Sequence, residues 1–137
     1  MMRGVKLVKL QNISGISKLN IAEIGKHFGF NVKRMFFIES ADKENRGGHA
    51  HIKQKQFFVC LKGKCNMFFD NGNEKKNFIL ESNDYGIEVE NLIWGNQEYL
   101  EKGTLLVVLT DDVYNENDYI RDYKSYINKL KIIKWKF

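Results

Sequence analysis

Proline is absent from the 137 residues, cysteine and tryptophan occur twice each, and histidine occurs three times. Without proline the usual punctuation of an interdomain linker is missing, and no Gly/Ser-rich tract or internal repeat takes its place. A single domain over residues 1–137 is the expectation, long enough to bury a core. Cys60 and Cys65 form no CxxC pair, and Cys60 sits inside the apolar run Phe57-Phe58-Val59-Cys60-Leu61. Both read as reduced thiols in a reducing compartment, which excludes a disulfide framework. No apolar run reaches the roughly 18 residues of a membrane helix. The stretch MMRGVKLVKLQN, broken by Lys6 and Lys9, lacks the apolar region of a secretory signal. A soluble, cytoplasmic protein is expected. Arginine-rich helices, zinc-finger spacings and RNP-like aromatic motifs are missing too. The formal charge of +5 therefore points to anions in general, phosphorylated small molecules among them, with no nucleic-acid partner.

What is there is a succession of short β-rich segments separated by Gly/Asn/Asp clusters. Residues 5–10, 19–24, 32–38, 57–61, 65–70, 76–80, 86–89, 92–94 and 103–110 read as strands. Residues 11–15 read as a turn, and Asn71-Gly72 between two β-rich runs is a strong hairpin signal. From residue 118 to 137, Ile120, Tyr123, Ile127 and Leu130 recur at three- and four-residue intervals, the stripe of a short helix packed on a sheet. The fold class is all-β: a small cupin or jelly-roll barrel with a short C-terminal helix.

The chemistry concentrates in NRGGHAHIKQKQFFVCLKG, residues 45–63. In extended chain His49 and His51 project to the same face. Imidazole titrates near neutrality, about 6.5, so a paired-histidine wall suits metal binding or proton transfer. His-x-His in a β-barrel is the cupin pattern, but the other cupin metal ligands are missing. Residues 52–56 read Ile-Lys-Gln-Lys-Gln with no carboxylate, residues 86–97 hold no histidine, and His27 lies far upstream. Divalent ions usually take three or four protein ligands, so no metal is expected and acid–base work remains. Arg34 and Arg46 are candidate phosphate contacts through the bidentate guanidinium. Trp94 is read either as a wall for a sugar or base or as core.

Arg46-Gly47-Gly48-His49-Ala50-His51, with Cys60-Leu61-Lys62-Gly63, Asp70-Asn71-Gly72, Trp94 and Asn117-Asp118-Tyr119-Ile120-Arg121-Asp122-Tyr123, resembles the sugar 3,4-ketoisomerase family, from about Lys33 to Tyr126. The resemblance implies a small cupin that moves the ketone of dTDP-4-keto-6-deoxyglucose from C4 to C3 with no metal or organic cofactor, for deoxyamino-sugar synthesis. It also implies a homodimer exchanging an N-terminal strand. It assigns His51 to the carbon-bound proton and His49 to the oxygens, and places Arg34, Arg46, Gln56, Trp94, Tyr119 and Arg121 around the substrate. That chemistry suits imidazole, because a C3 hydrogen beside a ketone is acidified through the enediolate.

Three departures from the family pattern bear on stereochemistry. Ser14-Gly15-Ile16-Ser17-Lys18-Leu19 stands where Arg-Gly-Ser-Leu is frequent, Phe36-Phe37 where tyrosines are common, and Gly95 where a histidine is frequent. Two other activities fit the same residues: a 3,5-epimerase acting on the same sugar nucleotide, and a non-catalytic cupin that binds a sugar or nucleotide.

Overall fold

A computed structural model describes residues 2–15, 17–81 and 84–136; Ile16 of the departure noted above and Phe137 lie outside them. The strands in order are β1 (Val5–Lys9), β2 (Gln11–Ser14), β3 (Lys18–Ile21), β4 (Arg34–Glu39), β5 (Glu44–His51), β6 (Gln56–Lys62), β7 (Lys64–Asp70), β8 (Lys75–Glu81), β9 (Tyr85–Val89), β10 (Trp94–Tyr99) and β11 (Leu105–Thr110). A single 3₁₀ turn (Glu116–Asp118), the two-residue β12 (Tyr119–Ile120) and α1 (Tyr123–Lys136) complete the chain.

Two five-stranded sheets face each other, ordered β1-β9-β6-β11-β4 and β12-β5-β10-β7-β8, and every pairing within them is antiparallel. The expected barrel is thus an open, jelly-roll-like sandwich. Each strand has one face toward the interior, which gives the period-two patterning. Phe58, Met67, Phe69, Leu80, Ile87, Leu106 and Val108 fill the space between the sheets. Burying a side chain of this kind contributes roughly 1.5–3 kcal/mol. Burial also lifts the thiols of Cys60 and Cys65 to about 11 and about 12, so both are inert protonated groups. Among the described residues no helix is long and apolar enough to cross a membrane.

Three expectations are corrected. Residues 11–14, read as a turn, form β2, which pairs with β3 through Asn12↔Asn20 and Ile13↔Leu19. The strand read at 92–94 runs instead from Trp94 to Tyr99. Its alternation was hidden because its inward Gln97 is polar, as is usual for a strand whose inner face borders a polar cavity. The helix starts at Tyr123, five residues after the expected 118. Asp122 caps it, accepting from the backbone N–H and the hydroxyl of Ser125 at 2.9 Å each, and the segment before it is the 3₁₀ turn and β12.

Candidate active site

The site begins with a backbone irregularity. β5 pairs with β10 in the register Gly95↔His49, Asn96↔Gly47 and Gln97↔Arg46, leaving Gly48 as an extra residue in β5. Without this bulge Arg46 and His49, three apart, would face opposite sides of the sheet. With it, both lie opposite inward-facing residues of β10. Gly47 makes the bulge possible: its φ is +98°, and a Cβ there would stand 3.0 Å from the Gly95 carbonyl oxygen and 3.1 Å from Asn96 Cα.

A cavity of about 300 Å³ opens between the sheets at this end. Its floor is Phe36 and Ile38 of β4, Phe58 of β6 and Val108 of β11. Its polar wall is Arg46, His49, Gln56, Gln97, Tyr119 and Arg121. Gln56 and Gln97 are buried and line the cavity from opposite sheets. Arg121 donates to Glu116 through one edge of its guanidinium, Nε to Oε1 at 2.7 Å and Nη2 to Oε2 at 3.0 Å, and stacks over the Tyr119 ring at 4.3 Å. That guanidinium, with the Tyr114 hydroxyl, pulls the Glu116 carboxyl down to about 2.

The two histidines share a face, as expected, but their surroundings differ. His49 lines the cavity. Burial, helped by the neighbouring His51 and by Arg121, lowers it from 6.5 to about 4, so at neutral pH it is an unprotonated base. His51 is only 4 % exposed and does not line the cavity. Its ring stands edge-on to His49 at 5.2 Å and 4.4 Å from Tyr119, its cross-strand partner. Its Nδ1 lies 3.0 Å from Asp118 Oδ2. Asp118 is buried and also accepts from the backbone N–H of Lys53 at 2.8 Å and of Gln54 at 3.3 Å. Burial lowers the His51 pKa as well, partly offset by Asp118.

The remaining expected contacts divide. Arg46, Gln56, Tyr119 and Arg121 border the cavity. Arg34 does not: it donates to the Gln54 side chain at 3.1 Å and packs between the rings of Phe36 and Tyr114. Trp94 does not line it either. It lies three residues from inward Gln97, so it points to the outer face of its sheet, where it packs with Ala50 and Tyr126 under α1. Of the two readings of Trp94, core is the one that fits. We expect Trp94→Phe to lower stability by about 1–2 kcal/mol and to leave kcat and KM within about threefold. Parallel denaturation and steady-state measurements check this. Gln97 and Asp118 were missed as site residues. The first would have followed from the inward parity of β10, the second from the distal Asn117–Arg121 motif. Among the described residues no three His, Cys, Asp or Glu side chains gather as a metal-ligand set.

Fold and pocket together define a cupin-like, jelly-roll protein with one imidazole lining the cavity and a buried His–Asp pair behind it. Sequence comparison agrees with that assignment. The chain belongs to the WxcM-like, C-terminal (FdtA) family, whose model matches residues 3–131. It is 36 % identical over 116 residues to the TDP-4-oxo-6-deoxy-alpha-D-glucose-3,4-oxoisomerase of Aneurinibacillus thermoaerophilus, covering 82 % of this chain and 84 % of the relative. QdtA, a sugar 3,4-ketoisomerase from Thermoanaerobacterium thermosaccharolyticum solved in complex with TDP, superposes with a TM-score of 0.89 at 31 % identity, over 96 % of this chain and 97 % of that one. WlaRA, a TDP-fucose-3,4-ketoisomerase from Campylobacter jejuni, gives 0.84 at 31 %, over 92 % and 94 %.

Proposed function

We infer that this chain is a 3,4-ketoisomerase of a TDP-linked 4-keto-6-deoxy sugar. The observation that carries the reading is His49: a desolvated, unprotonated imidazole in the wall of a cavity ringed by hydrogen-bonding groups. The C4 ketone acidifies the hydrogen on C3. His49 takes that proton, and the electron pair passes into the C3–C4 bond and onto O4. His49 then returns a proton to C4 as the O3 hydroxyl loses its own, leaving the ketone at C3 and a hydroxyl at C4. One proton moves between carbons and one between oxygens, so C3 is oxidised, C4 is reduced, and no external redox partner is needed. The Gln56 and Gln97 amides stabilise the negative oxygens, because donors fixed in place need no reorganisation. This assignment exchanges the roles given by the family resemblance: His49 works at carbon because it meets the cavity, while buried His51 stands behind it. Arg46 and Arg121, both in the cavity wall, take the diphosphate; Arg34, tied to Gln54, lies outside the cavity.

Incubation with dTDP-4-keto-6-deoxyglucose in deuterated water tests the reading by NMR. A product with its ketone at C3 and deuterium at C4 is expected. Exchange at C3 and C5 with the ketone still at C4 would make the protein an epimerase. Binding of dTDP without exchange would make it a non-catalytic cupin.

The reading includes a homodimer. On the outer face of the β1-containing sheet, Met35, Phe37 and Leu61 are exposed beside half-buried Val107, a contiguous apolar surface of the kind that marks an interface. β1 is already paired with β9 of its own chain. The element suited to exchange is therefore the β2–β3 hairpin, which among the described residues pairs with no third strand and exposes Ile13 and Leu19. Light scattering on purified protein is expected to give the mass of two 16.1 kDa chains. Substituting Met35→Lys together with Phe37→Lys is expected to give one. A wild-type monomer at micromolar concentration would remove the dimer from the account.

A further inference from the structure

Asp118 sits on the 3₁₀ turn, far in sequence from β5, yet its carboxylate meets the far end of the histidine pair. Oδ1 accepts from the Lys53 N–H, and Oδ2 accepts from the Gln54 N–H. With both oxygens already accepting, the 3.0 Å contact to His51 Nδ1 is one in which the imidazole donates. The other ring nitrogen, Nε2, is buried and has no hydrogen-bond partner among the described residues. An unmade hydrogen bond on a buried nitrogen is costly, and here it leaves a ring lone pair free to take a proton. The isomerisation supplies one: the proton leaving the O3 hydroxyl needs an acceptor other than His49, which is occupied by the carbon-bound proton.

We propose that Asp118 is a positioning residue that holds His51 with Nδ1 protonated and Nε2 open, so that His51 takes up the hydroxyl proton by relay through Tyr119, which lines the cavity and whose ring stands 4.4 Å from the His51 ring. The inference rests on the isomerase reading. Atoms balance without a further reactant. The O3–H bond breaks as the C3–O3 double bond forms, the Tyr119 hydroxyl takes that proton while passing its own to His51 Nε2, which becomes imidazolium against the Asp118 carboxylate, and the same relay reversed delivers a proton to O4. The groups facing His51 are His49 on its own strand, Tyr119 on β12, Asp118 on the 3₁₀ turn, and the cations Arg34 and Arg121. Asp118 is the one acid among them, so it alone favours the imidazolium.

The test is Asp118→Asn. The amide can still accept from one backbone N–H, but its NH₂ group faces Nδ1 and drives His51 to the opposite tautomer, with the proton on Nε2. We expect kcat to fall about 100-fold or more, as when a histidine's orienting carboxylate is lost. KM and dTDP affinity are expected to stay within about threefold. Long-range ¹H–¹⁵N spectra should show His51 protonated on Nδ1 in the wild type and on Nε2 in the variant. A folded variant with near-normal kcat, or an unchanged His51 tautomer, overturns the proposal. Should the variant fail to fold, the wild-type spectrum decides alone, since Nε2 protonation there contradicts the assignment. If the wild-type enzyme itself leaves the ketone at C4, the isomerase reading has failed; if it isomerises and only the Asp118 results disagree, the fault lies with this inference.

Discussion

Replacing His49 with asparagine is expected to lower kcat on the order of 10³-fold, within the range of a lost general base, and to abolish deuterium transfer to C4. Asparagine nearly matches the imidazole in size and polarity but cannot take a proton, so dTDP binding should be retained and the loss should fall on kcat. A variant that still labels C4 would move the base elsewhere. The same residue governs the pH response. With its pKa lowered from 6.5 to about 4, His49 stays a base in moderately acid solution, so the acid limb of kcat/KM is expected near pH 4. Stability behaves differently. The folded protein binds the His49 proton less readily than the unfolded chain does, so the unfolded state takes up protons as pH falls from 6.5 toward 4, and stability declines across that window. Above it the contribution is complete. Melting curves at pH 7 and pH 4.5 should show a smaller drop for His49→Asn than for the wild type.

Gly47→Ala is expected to cost about 2–4 kcal/mol, combining the left-handed backbone penalty with contact against backbone atoms. Its φ of +98° is outside what alanine adopts easily, and the new methyl would press on the Gly95 oxygen and Asn96 Cα, neither of which can rotate away. Gly48→Ala is the control. Its φ is +75° and its nearest neighbour is the Asn96 side-chain oxygen at 3.4 Å, which can turn aside, so about 1 kcal/mol is expected. Turnover should follow the same order, because the bulge is what puts Arg46 and His49 on one side of β5. Equal denaturant midpoints for the two variants, with full activity in both, would contradict this account of the bulge.

The sequence carried the architecture well where one face of a strand was buried and the other wet. Phe57 to Leu61 and Leu105 to Thr110 announced themselves, and Asn71-Gly72 marked its hairpin. β10 escaped because a strand bordering a polar cavity has polar residues on both faces, and β2 because a two-stranded hairpin needs no buried face. In the site, His49 and His51 were legible from spacing, and Gln56, Tyr119 and Arg121 from the motif resemblance. Their ranking was not. Which imidazole meets the cavity depends on β12 laying Tyr119 across His51 and on Asp118 reaching back from the 3₁₀ turn, contacts that join residues 67 positions apart. Trp94 shows the converse. Its type suggested a ligand wall, but its parity against Gln97 decided otherwise.

Strand β4 is read from both sides. Phe36 and Ile38 press inward on the ligand chamber while Met35 and Phe37, between and beside them, look outward. Any tilt imposed on this edge from outside is transmitted within a single residue to the surface against which a sugar ring would rest. Amino-acid choice here should therefore be constrained at every position, by two different demands in alternation, and assembly and turnover would share a mechanical part no thicker than one peptide plane.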